Sequence, residues 1–164
     1  MSIPPNHQVH THPTATDHVE AGFVEARVRV RYAETDQMGI AYHANYLVWM
    51  EVGRVEYYRA SGFRYRDLEA EGILLAVVEA HCRYLSPALY DEEVIVRTGI
   101  EEATPRGVRF SYRISSGEDG RLLAEGSTKH VFCGRNRKAT KLPKQFHAIF
   151  GVNSAPGTKL QRPA

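Results

Sequence analysis

The sequence predicts an α+β domain in which an antiparallel sheet wraps around one long helix. Three observations carry this. Residues 45–61 form a long and strongly apolar helical pattern: Tyr46, Leu47, Val48, Trp49, Met50, Val52, Val55, Tyr57, Tyr58 and Ala60. Residues 23–32 and 108–115 alternate apolar and polar side chains with the period of a strand. The later part of the chain is divided by two turn signals, Thr104-Pro105-Arg106-Gly107 and Ser116-Gly117-Glu118-Asp119-Gly120.

The elements follow in order. In the first strand Val24, Ala26, Val28, Val30 and Tyr32 share one face, opposite Glu25, Arg27, Arg29 and Arg31; this puts Tyr32 on the inward side. The long helix is apolar nearly all round in its first half, which predicts burial on most sides. Ser61-Gly62 ends it, glycine suiting the left-handed position after a helix. A short helix at 64–71 stops at Gly72. Strands follow at 73–84, 93–103, 108–115 and 121–133, joined mainly by hairpins. A helix this apolar needs cover on its back, and a single sheet leaves open edges; both predict pairing with a second copy.

Residues 1–21 read as a disordered arm with three prolines and four histidines, His7, His10, His12 and His18. A domain at 22–150 and a flexible tail at 151–164 complete the organisation. The 164 residues suffice for one domain with a real core. Apolar residues make up 43% and charged residues 24%, the balance of an ordinary soluble protein. No apolar run reaches the ~20 residues of a membrane span. No export signal is visible, so Cys82 and Cys133 read as reduced core thiols in a cytoplasmic protein. Residues 134–164 hold seven Lys/Arg and no acid. Arg135, Arg137, Lys138, Lys141 and Lys144 crowd one stretch, as a solvated tail or a place for phosphates. The domain body is slightly acidic, which argues against nucleic acid as a partner.

The chemistry lies between the first strand and the long helix. Asp36 is four residues after Tyr32 and seven before His43, and Gly39 allows the backbone a close approach. A carboxylate beside a helix N-terminus suits attack on a carbonyl: the helix supplies N–H donors and partial positive charge, the carboxylate a nucleophile or a base. A turn-forming aspartate and a capping histidine are the structural alternatives. One weak base with a donor suits a thioester, whose thiolate leaves easily, better than an amide. Glu51, eight residues beyond His43, is roughly 12 Å along the helix and too far to share that carbonyl in one chain; it reads as an i,i+3 partner of Arg54. No Gly-rich phosphate loop, nucleophile elbow or Cys-x-x-Cys pair is present. Neither a metal nor a cofactor is required by this reading.

The pattern Tyr32-x-x-x-Asp36-x-x-Gly39-x-x-Tyr42-His43-Ala-Asn45-Tyr46 resembles the opening of hotdog-fold acyl-CoA thioesterases of the 4-hydroxybenzoyl-CoA thioesterase type, especially the YbgC-like branch. Two further stretches, Arg83-Tyr84-Leu-Ser86-Pro87-Ala88-Leu-Tyr90-Asp91 and Arg137-Lys138-Ala-Thr-Lys-Leu-Pro143, resemble later segments of that family. Together they span about residues 22–146. The resemblance implies a hotdog fold, an acyl-CoA substrate, and a homodimer or homotetramer with sites at the subunit interface. It implies Asp36 as catalytic carboxylate and the residue-43 N–H as the donor to the thioester carbonyl, with Tyr32 and His43 taking part. Gly39, Tyr42, Asn45 and Tyr46 are then expected to line the substrate site. From charge alone, Arg135, Arg137 and Lys138 are expected to hold the phosphates of coenzyme A, with Arg27, Arg29 and Arg31 on the outward face of the first strand as the rival site. A hotdog acyl dehydratase and a non-enzymatic acyl-CoA sensor are the alternatives. The first needs a His and Pro-Gly pattern that is not found, the second a DNA-binding module for which residues 1–21 are too short.

Overall fold

The computed structural model describes residues 22–152; the histidine-bearing arm and nearly all of the expected tail lie outside them. Five strands form one antiparallel sheet: β1 (Phe23–Arg29), β2 (Ile73–Tyr84), β3 (Glu93–Thr104), β4 (Gly107–Ser116) and β5 (Leu122–Gly134). Their order is β1-β3-β4-β5-β2. The hairpins β3–β4 and β4–β5 form at the two turn signals, whereas β2 crosses to the far edge and pairs with β5, Tyr84 opposite Ala124 and Ile73 opposite Gly134. The long helix, α1 (Asn45–Ala60), lies across the concave face, followed by α2 (Tyr65–Ala70). This is the α+β architecture expected, an antiparallel sheet around a central helix. Gly62 closes the helix in the left-handed region at φ +72°.

Helix and sheet interlock through small residues. One row of the inner face runs Val24, Thr98, Tyr112, Gly126, Cys82 from edge to edge. A Cβ at Gly126 would collide with the tip of Met50, and one at Gly53 with the Thr98 hydroxyl. The helix therefore settles close against the sheet and buries Trp49, Met50, Val96, Phe110 and Ile114. Past β5 the chain returns over the open end of this core. There α3 (His147–Phe150) and the turn before it bring Phe146 and Phe150 against Phe63, and Phe150 against Tyr58.

Three expectations are corrected. The first strand ends at Arg29, because Val30 turns its backbone to the next loop: its N–H donates to Glu92 C=O and its C=O accepts from Asp91 N–H. Tyr32 then falls in a 3₁₀ turn (Tyr32–Glu34) and is 79% exposed, off the inward face. Glu51 and Arg54 do not pair. Arg54 turns inward and donates to the Tyr112 hydroxyl (3.1 Å), while the helix's i,i+3 ion pair is Glu56–Arg59. Finally, α1 is not covered on most sides within one chain: Leu47 and Val48 remain 41% and 49% exposed.

Arg54 opens a polar chain in the core. The hydroxyls of Tyr112 and Thr128 are 2.7 Å apart, and Thr128 meets His130 Nε2 at 2.8 Å. His130 Nδ1 has no hydrogen-bond partner among the described residues. Burial first, then the Arg54 charge, pushes the His130 imidazole down to about 4. The unfolded chain takes up a proton below about 6.5 that the folded chain refuses, so stability is present above pH 6.5 and lost as the pH falls towards 4. The loss is expected to reach about 3 kcal/mol at most. Urea midpoints between pH 7 and 5 follow this loss, and comparison with His130→Gln separates it from the other histidines of the chain. His130→Gln is expected to flatten that interval, and an unchanged slope would contradict the assignment.

Candidate active site

The loop between β1 and α1 is tied back on itself. Asp36 N–H donates to Ile40 C=O (2.9 Å) and Gly39 N–H to Asp36 C=O (2.9 Å). Gly39 sits at φ +76° with open space where a Cβ would stand, so the position needs glycine for its backbone conformation. One Asp36 carboxylate oxygen accepts Met38 N–H at 2.8 Å, and the side chain is left half-buried. Ala41 N–H donates to Ala88 C=O, and Ile40 bridges to Leu89, which docks this loop on the segment between β2 and β3.

The helix effectively starts before Asn45. Asn45 N–H donates to Tyr42 C=O and Leu47 N–H to Ala44 C=O, so His43 and Ala44 already belong to its first turn. Their own N–H groups have no acceptor among the described residues. These are the orphan donors of a helix N-terminus, where partial positive charge gathers. Around them stands an aromatic group: Tyr42 and His43 rings lie 4.3 Å apart, His43 and Tyr84 6.3 Å, Tyr46 and Tyr84 5.0 Å. The Tyr84 hydroxyl donates to His43 C=O at 2.9 Å. Burial, helped by the neighbouring Cys82, pushes the Tyr84 phenol up to about 12, so it stays a donor at neutral pH.

The structure thus places Asp36 and Gly39 in one hydrogen-bonded turn of the β1–α1 junction, and ties Tyr42, next to the His43 N–H, to the Glu34 carbonyl two residues before Asp36. Asn45 and Tyr46 are near but engaged: Asn45 Nδ2 donates to Glu34 C=O (2.8 Å), and buried Tyr46 accepts Ala88 N–H on its hydroxyl (3.2 Å). Tyr32 packs edge-on against Tyr90 at 5.8 Å, outside the aromatic group. Arg135, Arg137 and Lys138 are elsewhere. They follow Gly134, at the Ile73 end of β2, and Arg135 Nη2 donates to Ala70 C=O. Eleven residues of strand, roughly 35 Å, separate them from Tyr84 in the same chain. Two residues around the helix start were not singled out as candidate site residues in the sequence. Tyr84 shows itself only when β2 folds over the helix start. Glu34, a second carboxylate in the junction, reads as one more polar residue in a loop. Among the described residues no His, Cys, Asp or Glu cluster could hold a metal.

An apolar helix on a wrapped antiparallel sheet, with a carboxylate loop at the helix N-terminus, defines a hotdog-type thioesterase framework. The Thioesterase-like superfamily model matches residues 30–150, and the chain belongs to that family. A Bacillus subtilis protein with a provisional acyl-CoA thioesterase name, YneP, is 42% identical over 123 residues, which are 75% of this chain and 86% of its own length. The Escherichia coli acyl-CoA thioester hydrolase YbgC is 33% identical over 124 residues, 75% of this chain and 92% of its own. Among solved structures, a DHNA-CoA thioesterase from Staphylococcus aureus superposes with a TM-score of 0.75 at 32% identity, covering 79% of this chain and 89% of its own.

Proposed function

We propose that this protein hydrolyses acyl-CoA thioesters, with Asp36 as the reacting carboxylate and the His43 main-chain N–H as donor to the thioester carbonyl. The observation that carries the reading is the pair of N–H groups at His43 and Ala44, without an acceptor among the described residues, in the same junction as the half-buried Asp36. A carbonyl oxygen seated on those donors gains stabilisation as it becomes an oxyanion, about 3 kcal/mol for one good donor. Asp36 then attacks the carbonyl carbon or aligns the water that does. Loss of the thiolate needs no strong acid. A steady-state assay that detects the released thiol, run on a panel of short, long and aromatic acyl-CoAs, tests the reading; no release from any of them would remove it.

The site is completed by a second copy. Edge strand β2 leaves Val77 and Val78 54% and 56% exposed, and α1 leaves Leu47 and Val48 uncovered. Two-fold antiparallel pairing of β2 with its mate extends the sheet and covers both pairs. It also sets the Ile73 end of one β2 against the Tyr84 end of the other. The basic loop, distant within one chain, then arrives from the partner next to the His43 donors, where the nucleotide of coenzyme A leaves the site. Arg137, held at φ +61°, stands at the tip of that loop. The contacts are exposed, so each is worth only ~0.2–1 kcal/mol and weakens with salt. Neutralising Arg135, Arg137 and Lys138 together is expected to raise KM for an acyl-CoA by about 3- to 150-fold and to leave an acyl-pantetheine unchanged. An equal effect on both substrates would assign the loop to folding or assembly instead.

A further inference from the structure

Asp36 and the helix donors sit on different stretches of chain, and their separation must be held by something. Glu34 is the residue that touches both stretches. Its carboxylate is buried, the residue being 4% exposed, and both oxygens are occupied. Oε2 accepts Arg31 N–H at 2.8 Å; Oε1 accepts Arg31 Nη2 at 3.2 Å and the Trp49 indole N–H at 3.4 Å. Its main-chain carbonyl accepts Tyr42 N–H and Asn45 Nδ2, both at 2.8 Å. Tyr42 immediately precedes the His43 donor, Asn45 opens α1, and Asp36 is two residues beyond Glu34. Through Trp49 the same side chain is anchored one turn further along the helix.

We propose that Glu34 is a positioning residue that sets the Asp36 carboxylate and the His43 donor in one geometry by pinning the loop to α1 through Trp49 and the Tyr42–Asn45 turn. A buried carboxylate carries a large desolvation penalty before its hydrogen bonds return anything. An apolar side chain would fill the same place without that cost, so stability alone does not call for a charge here. What an apolar side chain cannot do is gather three donors from two segments. Glutamine cannot do it fully either: one oxygen becomes an NH₂ that faces a donor, and at least one of the three bonds is lost. Glu34 itself stays off the substrate, since its oxygens are already taken up by these donors. The inference rests on Asp36 and His43 acting as proposed above.

The test measures kcat and KM for Glu34→Gln and Trp49→Phe, each alone and in an Asp36→Asn background, with oligomeric state and melting temperature followed alongside. Displacement of a reacting group by about an ångström can cost on the order of 100-fold. Glu34→Gln is therefore expected to lower kcat about 10- to 100-fold with KM within about twofold. Trp49→Phe keeps the carboxylate and loses one donor, so it is expected to act in the same direction and less strongly. Neither change should lower kcat much further once the Asp36 carboxylate is already gone, because groups that act as a unit are not additive. Trp49 is the chain's one tryptophan, so its emission should shift when the indole loses the Glu34 carboxylate. The proposal is overturned by a folded Glu34→Gln with unchanged kcat, by a change in KM alone, or by a full additional loss in the Asp36→Asn background. If Glu34→Gln does not fold, unchanged kcat in Trp49→Phe overturns it. Full turnover by Asp36→Asn itself would instead remove the Asp36 reading, and with it the route through which Glu34 acts.

Discussion

Asp36→Asn is expected to leave the fold intact and to lower kcat by about 10²- to 10⁴-fold. Asparagine keeps the shape of the side chain and an oxygen for Met38 N–H, so the turn at 36–40 survives. It is neither an anionic nucleophile nor a base. Substrate affinity should change little, since in the proposed geometry the carbonyl rests on main-chain donors that the substitution does not touch. His43→Ala should cost less, because the N–H at that position remains; what it removes is the ring packed on Tyr42 and Tyr84. A His43→Ala protein less active than Asp36→Asn would make the imidazole the main catalyst.

The second large effect concerns assembly. Leu47→Glu with Val78→Glu puts charges at the centre of the uncovered helix face and on the open edge of β2. Burying an apolar side chain of this size is worth roughly 1.5–3 kcal/mol, so the two changes should weaken association by at least about 10²-fold. Light scattering at micromolar concentration is expected to show a dimer or larger species for the native chain and a monomer for the variant. Activity should fall with the dimer and recover as protein concentration rises. A native chain that is monomeric and active would contradict the two-copy site.

Much of the fold was legible because periodicity is local. The four later strands form where alternation and turn residues place them, and α1 ends at Ala60, two residues before the left-handed Gly62. What failed depended on contacts distant in sequence. Alternation carries Tyr32 onto the inward face, but the Val30 backbone prefers the loop at 91–92 and rotates the chain before Tyr32 is reached. A spacing of three makes Glu51 and Arg54 look like a pair, yet the guanidinium finds the Tyr112 phenol across the core. At the candidate site, the chemistry and spacing of Asp36, Gly39 and His43 already single these residues out in the sequence. Glu34 was not, because nothing in a loop sequence says that a carboxylate will be buried under a tryptophan fifteen residues away. The basic loop was legible as charge but not as position, since its place depends on strand β2 crossing to the edge of the sheet.

The most direct measurement is a crystal structure of the Asp36→Asn protein with an intact acyl-CoA bound. The thioester carbonyl oxygen is expected at about 2.7–3.1 Å from the His43 nitrogen. The substituted side chain at position 36 should face the carbonyl carbon, and the nucleotide should lie on the Arg135–Lys138 loop of the other subunit. A carbonyl held away from the helix N-terminus, with the position-36 amide out of reach of it, would contradict the account.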